Sequence, residues 1–357
     1  MVKVDAPSSS AEAETPFHRM TEGGPASVTL IVPMRNEAAF IEGCITSITS
    51  QDYPGEIEVL VYDGRSTDDS RLIVSRIATK HPNVVLLDNP RKIQAVAWNL
   101  GIGRAAGDII GIVGAHSELA SDYVTAAVET LVRTGAEMVG GPVKATSDGA
   151  VGEAVALATS TPFGVGGARF HYTDVEEEVD TVYMGLCRAE VYRSLLFDEE
   201  MVRNQDDELS YRLLDRGGRI VCNPAIRSRY HNRATWRGLA RQYYEYGFWK
   251  IAVMRKHPRQ VRPRHLIPAA LVAALGGSAM ASVLRSPGRW ALASILGSYG
   301  VANLGASLAA TRGSLRRIPT VSAVYATLHL AYGAGSIVGL VREVSRRLGV
   351  SRRRPTK

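Results

Sequence analysis

Three cysteines, Cys44, Cys187 and Cys222, are all that 357 residues contain. They are too few and too scattered for a disulfide framework or a zinc site, and they suit a reducing compartment. The N-terminus lacks the basic-then-apolar pattern of a signal peptide, and residues 1–26, rich in Ser, Ala, Glu, Gly and Pro, read as a disordered leader. No G-x-G-x-x-G turn and no G-x-x-x-x-G-K-[ST] loop occurs, so neither a Rossmann dinucleotide site nor a P-loop is indicated. Acidic residues almost vanish late in the chain. From Arg227 onward two carboxylates, Glu245 and Glu343, face 23 Lys and Arg, whereas the first 226 residues carry 33 acidic and 19 basic groups.

The basic region also contains three long apolar runs, at residues 266–284, 290–310 and 318–341. Each reaches the ~20 residues needed to cross a bilayer. Their Gly, Ala and Ser suit close helix packing in a membrane, and the first two contain no charged residue, which argues against a soluble bundle. Flanking basic residues suit an anionic cytoplasmic leaflet. A nucleic-acid-binding tail would explain the charge but not the runs, so no nucleic-acid partner is expected. Ahead of them, Trp236, Tyr243, Tyr244, Tyr246, Phe248 and Trp249 alternate with Arg237, Arg241 and Lys250, as in an interfacial helix.

The first half alternates short apolar strands with amphipathic helices, which implies a doubly wound, mostly parallel α/β sheet. Strands are expected at 28–32, 57–62, 84–87, 109–113 and 138–139. Asn36 is placed to cap the first helix, and Ser66 or Asp68 the second. The strand at 109–113 breaks off at Gly114-Ala115-His116-Ser117, delivering an imidazole and a hydroxyl to the carboxyl edge, where such sheets bind ligands. Asp63, at the end of its strand, can accept hydrogen bonds from a base or ribose, or can cap a turn. The Gly-rich residues 156–172 read as a mobile loop, Glu176-Glu177-Glu178 as a solvated run, and residues 182–188 as a further strand. Asp206, Asp207 and Glu208 open a helix with Leu209, Leu213 and Leu214 on its core face, where acidic groups also favour the helix dipole.

Four pieces, in order, resemble the family 2 glycosyltransferases, enzymes with a GT-A fold. They are residues 31–37 (IVPMRNE), 62–68 (YDGRSTD), 99–108 (NLGIGRAAGD) and 205–213 (QDDELSYRL). The Ala-His-Ser ending, the late acidic motif and the apolar C-terminus look most like the ExoA-like branch, membrane-attached transferases that build polysaccharide on a lipid carrier. The resemblance implies nucleotide contacts from Pro33, Arg35, Glu37, Asp63, Lys92 and Ala115. It implies a general base at Asp206, a metal or diphosphate contact at His116, and acceptor or diphosphate contacts from Arg188, Asp207, Gln242, Trp249 and Lys250. One departure matters. The family usually closes this strand with Asp-x-Asp, or Asp-Ala-His in this branch, and here the first position is Gly114. His116 therefore ligates a divalent cation (Mn²⁺ or Mg²⁺), contacts the diphosphate directly, or does neither.

The resulting expectation is an inverting glycosyltransferase that moves a hexose from a nucleotide diphosphate sugar, UDP-glucose by family precedent, to a lipid-linked saccharide or lipid. A polyprenyl-phosphate sugar synthase and a non-catalytic nucleotide-sugar-binding scaffold are the alternatives. Its partners are then the donor, the lipid-linked acceptor and membrane lipids. Residues 27–230 form the GT-A domain, 231–264 an interfacial segment, 265–341 the membrane region and 342–357 a basic cytoplasmic tail. The catalytic domain lies on the cytoplasmic side of the inner membrane. Three full crossings would put that tail outside, against the positive-inside tendency, so two crossings plus one re-entrant or interfacial run are favoured.

Overall fold

The computed structural model describes residues 24–146, 149–232, 235–284 and 286–348. In chain order the first half runs β1 (Val28–Met34), α1 (Ile41–Thr49), β2 (Ile57–Asp63), α2 (Ser70–Ala78), β3 (Val84–Asp88), α3 (Gln94–Arg104), β4 (Ile109–Ile112), β5 (Ser117–Leu119), α4 (Tyr123–Thr134), β6 (Met138–Gly141) and β7 (Val143–Thr146). Then come α5 (Gly149–Thr159), α6 (Pro162–Val165), β8 (Glu177–Glu178), β9 (Tyr183–Arg188), α7 (Ala189–Leu195), α8 (Gln205–Asp215), β10 (Ile220–Cys222) and β11 (Ser228–His231). Four long helices close the chain: α9 (Trp236–Lys256), α10 (Pro263–Leu284), α11 (Ser286–Ala310) and α12 (Ile318–Arg347).

The main sheet has the order β3-β2-β1-β4-β9-β6-β10-β8. Strands β1 to β4 are mutually parallel, as short apolar runs joined by helical crossovers require. Val28, Leu30, Val32 and the α1 residues Ile41, Cys44, Ile45 and Ile48 bury one face, and Ile31, Leu60, Ile110 and Trp98 bury the other. β9 runs antiparallel between β4 and β6, and a small second sheet, β5-β11-β7, stands beside the site.

Several expectations need correction. Asn36 does not cap α1, which starts at Ile41; it sits at φ 57° and its Oδ1 accepts the Thr67 backbone N–H at 2.8 Å. Of the two residues expected at the start of α2, Asp68 is the one that receives the Ser70 N–H, at 3.1 Å. Residues 156–172 are not an unstructured loop, since α5, α6 and a 3₁₀ turn at Arg169–His171 occupy them. Their glycines serve packing: a Cβ on Gly164 would lie 2.1 Å from the Ala158 carbonyl oxygen and 3.2 Å from Tyr325. Glu176, Glu177 and Glu178 are ion-paired with Arg133, Arg169 and Arg219 rather than merely solvated. Most of the leader (residues 1–23) and the end of the tail (349–357) lie outside the described residues.

Three helical segments, Pro263–Val283, Pro287–Ala310 and Ile318–Arg347, are long and apolar enough to cross a membrane. They differ in surroundings. The apolar window of the first has no buried residue, while Val321, Val324, Tyr325 and Leu328 of α12 pack against α5 and Leu239 of α9. Further along, Gly335 and Gly339 of α12 meet the Tyr244 and Phe248 carbonyls of α9. Close backbone approach of this kind joins α9 and α12 into one layer.

Candidate active site

The carboxyl ends of β1, β2 and β4 meet, and hydrogen bonds stitch their loops together. Asn36 N–H donates to Ser66 Oγ at 3.0 Å, and Glu37 N–H to Ser70 Oγ at 2.7 Å. Asp63 is buried at the end of β2, where it accepts the Ser66 N–H at 3.1 Å and one Arg71 guanidinium bond at 3.1 Å. Arg71 also holds Asp88, so Asp63 is a turn-capping carboxylate fixed from two sides. Pro33 lies in β1, Arg35 packs beside Gly64, and Lys92 stands exposed in the turn before α3. Ala115 is buried, which lifts His116 to the edge. His116 Nδ1 and Glu37 Oε1 are 3.3 Å apart, and the His116 ring meets Tyr230 edge-on at 5.1 Å.

Beside this edge opens a cavity of about 870 Å³. Asp206, Asp207, Lys250, His171, Tyr183, Tyr230, Gln242 and Tyr246 line it. Ile267, Leu271, Ile295, Leu328 and Tyr332, from the three apolar helices, line it as well. Asp206 is the second residue of α8, after the cap residue Asn204 and Gln205. Asn204 adopts φ 58° and donates to the Tyr246 carbonyl at 2.9 Å, so the turn presenting Asp206 is anchored to α9. Asp206 has exposed surface, but it faces the cavity, and surrounding protein together with the neighbouring Asp207 charge pushes its pKa up to about 6. Asp207 is ion-paired with the buried Lys250, whose ammonium also lies 5.8 Å from the Tyr211 ring centre. Burial holds His171 down to about 4, so it faces the cavity as a neutral imidazole at pH 7.

Among the described residues no three His, Cys, Asp or Glu side chains come together as a metal site. The donors at the strand edge are one imidazole and one carboxylate, His116 and Glu37, with no side chain at Gly114. Such a pair fits a divalent ion only if substrate oxygens complete its shell, as diphosphates commonly do.

Two expected site residues are elsewhere. Arg188 pairs in register with Ile109, at the amino end of β4, and faces Glu137 and Glu190. Gly114 lies five residues further along, ~16 Å at strand rise, so the antiparallel sense of β9 removes Arg188 from the site. The Trp249 ring packs on Phe248 and is absent from the cavity wall, whereas Lys250, one residue on, lies in it. Gln242 also lies in the wall, donating to the Tyr246 hydroxyl at 2.8 Å. His171, Tyr183, Tyr230 and Arg264 were not singled out from sequence. Their only signal there was polar or aromatic character in otherwise weakly patterned segments.

The profile of glycosyl transferase family 2 matches residues 29–196. The chain is 30% identical over 313 residues to the succinoglycan biosynthesis protein ExoA of Rhizobium meliloti, covering 87% of this chain and 93% of that one. It is 31% identical over 239 residues to a Methanococcus voltae dolichyl N-acetyl-alpha-D-glucosaminyl phosphate 3-beta-D-2,3-diacetamido-2,3-dideoxy-beta-D-glucuronosyltransferase, covering 64% and 74%. Among solved structures, a mannosyltransferase from Pyrobaculum calidifontis in complex with GDP-Man and Mn²⁺ superposes with a TM-score of 0.57 at 20% identity, covering 89% and 88%, a likeness of fold.

Proposed function

The chain belongs to glycosyl transferase family 2, and from that premise we propose that it is an inverting hexosyltransferase acting on a lipid-linked acceptor at the membrane. The observation that carries this reading is one cavity lined both by a carboxylate of raised pKa and by the apolar helices. Residues 27–230 react, 231–264 lie at the interface and 265–341 insert. The catalytic domain faces the cytoplasm at the inner membrane. UDP-glucose is the favoured donor.

In this mechanism Asp63 and the loops around Pro33, Arg35, Lys92 and Ala115 hold the nucleoside, and Glu37 and His116 face the diphosphate. A divalent ion held by His116, Glu37 and diphosphate oxygens would supply charge neutralisation for the leaving group. Asp206 accepts the proton of the acceptor hydroxyl as that oxygen attacks the anomeric carbon and the nucleoside diphosphate departs. A pKa near the working pH suits a base, which must be ionised yet retain proton affinity. Lys250 holds Asp207 beside it in an ion pair.

The polyprenyl-phosphate alternative draws support from Arg264 and Lys250 in the cavity wall, cations that a phosphate acceptor would use. Both are already paired, with Asp180 and Asp207, which favours a hydroxyl acceptor. A screen of labelled nucleotide sugars against membrane lipids, with Mn²⁺ or chelator, tests the whole reading. The expected result is label in a lipid-extractable product from one donor. Transfer only to water-soluble acceptors, or none from any donor, would end it.

A further inference from the structure

The space next to Gly114 is occupied. A Cβ there would stand 2.9 Å from the Tyr183 hydroxyl oxygen and 3.2 Å from Ser117 Oγ. Those two hydroxyls are 2.6 Å apart and share one hydrogen bond. With Ser117 as the donor, the Tyr183 hydroxyl keeps its own proton for an external acceptor. Tyr183 opens β9, which runs antiparallel to β4, so its ring arrives at the carboxyl edge of the sheet. There it meets Tyr230 edge-on at 5.6 Å, and Tyr230 meets His116 at 5.1 Å. Tyr183 and Tyr230 also line the cavity that contains Asp206. Tyr183 therefore stands one ring from His116 at the strand edge and in the wall of the cavity that also holds Asp206, where a transferred sugar would reach it. Burial holds the Tyr183 phenol well above its ordinary pKa, which keeps it a neutral hydrogen-bond donor.

We propose that Tyr183, oriented by Ser117 and admitted by the missing side chain at 114, is the residue that binds the hexosyl part of the donor. Its hydroxyl donates to a sugar oxygen while its ring and that of Tyr230 cover apolar C–H surface of the pyranose. The inference rests on the transferase reading above and adds to it the group that distinguishes a nucleotide sugar from a bare nucleotide. Gly114 becomes a specificity determinant by what it leaves room for.

Calorimetric binding of UDP, UDP-glucose, GDP and GDP-mannose to the full-length protein in detergent tests this. For the nucleotide and nucleotide-sugar pair that binds, Tyr183→Phe is expected to weaken the nucleotide sugar about tenfold and the bare nucleotide less than about twofold, the size of one lost hydrogen bond. Gly114→Ala, which displaces the same hydroxyl, should reproduce that selective loss. Because the two changes act on one contact, the double variant should lose no more than Tyr183→Phe alone. Equal weakening of nucleotide and nucleotide sugar, no effect of Tyr183→Phe, or additive losses in the double variant would each overturn the inference. A wild-type protein that binds none of the four overturns the transferase reading as well. One that shows the selective loss but transfers no sugar to lipid overturns only the transferase reading.

Discussion

Replacing Asp206 by Asn changes one oxygen to nitrogen and removes the only property the mechanism asks of this side chain. With its pKa at about 6, the wild-type carboxyl is ionised in about nine molecules of ten at pH 7 and about one in ten at pH 5. Activity limited by this base therefore rises about tenfold per unit below pH 6 and levels off above it. A positioned general base contributes roughly 10² to 10⁴ in rate, ~3–5 kcal/mol of barrier, so Asp206→Asn should lower kcat by that factor with a small effect on donor KM. The acid limb should disappear from whatever rate remains. Folding supplies a control of opposite sign. A carboxyl whose pKa is higher in the folded than in the unfolded chain opposes folding, with no effect well below pH 4 and full effect above pH 6. The Asn variant should thus melt at a higher temperature than wild type at pH 7 and at nearly the same temperature at pH 3.5. The assay is initial rate of label transfer from donor to lipid between pH 4.5 and 8, paired with thermal unfolding. Substantial activity in the variant, or an unchanged acid limb, would refute the assignment and favour an acceptor that is already ionised, as a polyprenyl phosphate is.

Other expectations follow from separate contacts. Lys250→Met leaves Asp207 half-buried without its ion pair and should cost about 3 kcal/mol or more in chemical denaturation, with much of that recovered by adding Asp207→Asn. Gly335→Val drives a side chain into the Tyr244 carbonyl, 2.0 Å from where its Cβ would stand, and should lower stability by at least about 1–3 kcal/mol with loss of the α9–α12 seam by hydrogen exchange. Leu271→Trp fills cavity space beside the apolar helices and should raise the lipid-acceptor KM about tenfold while donor affinity stays level. Chelation should weaken donor binding, and His116→Ala should reduce the effect of added Mn²⁺, read by paramagnetic relaxation of solvent water.

Much of this was visible in the sequence because the physics is local. Runs such as 28–32 and 109–113 can be little other than buried strands, and apolar runs of about 20 residues have few homes outside a bilayer. Asp206 stood out because an acidic cluster sits at a helix start in a matching motif, and it lies in the cavity wall. What failed depended on partners far along the chain. The run 182–188 is plainly a strand, but its direction is fixed by pairing with β4 and β6, and that direction decides that Tyr183, not Arg188, reaches the site. The glycines at 164–167 looked like flexibility because the backbone they pack against, at Ala158, and the side chains of α12 and Arg264 are invisible to local reading. Trp249 and Lys250 point to different surroundings although they are adjacent, and only the helix phase, set by the α12 contact, separates them.

The central claim is that the strand edge carrying Asp63, Glu37 and His116 and the cavity carrying Asp206 are two halves of one active site. Cryo-electron microscopy of the protein in lipid nanodiscs with a non-transferable nucleotide-sugar analogue tests it most directly. The account predicts the nucleoside against Asp63, the diphosphate beside Glu37 and His116, and the anomeric carbon facing Asp206 across a gap that one acceptor oxygen can fill. A nucleotide bound with its sugar turned away from Asp206, or seated at the opposite edge of the sheet, would contradict it.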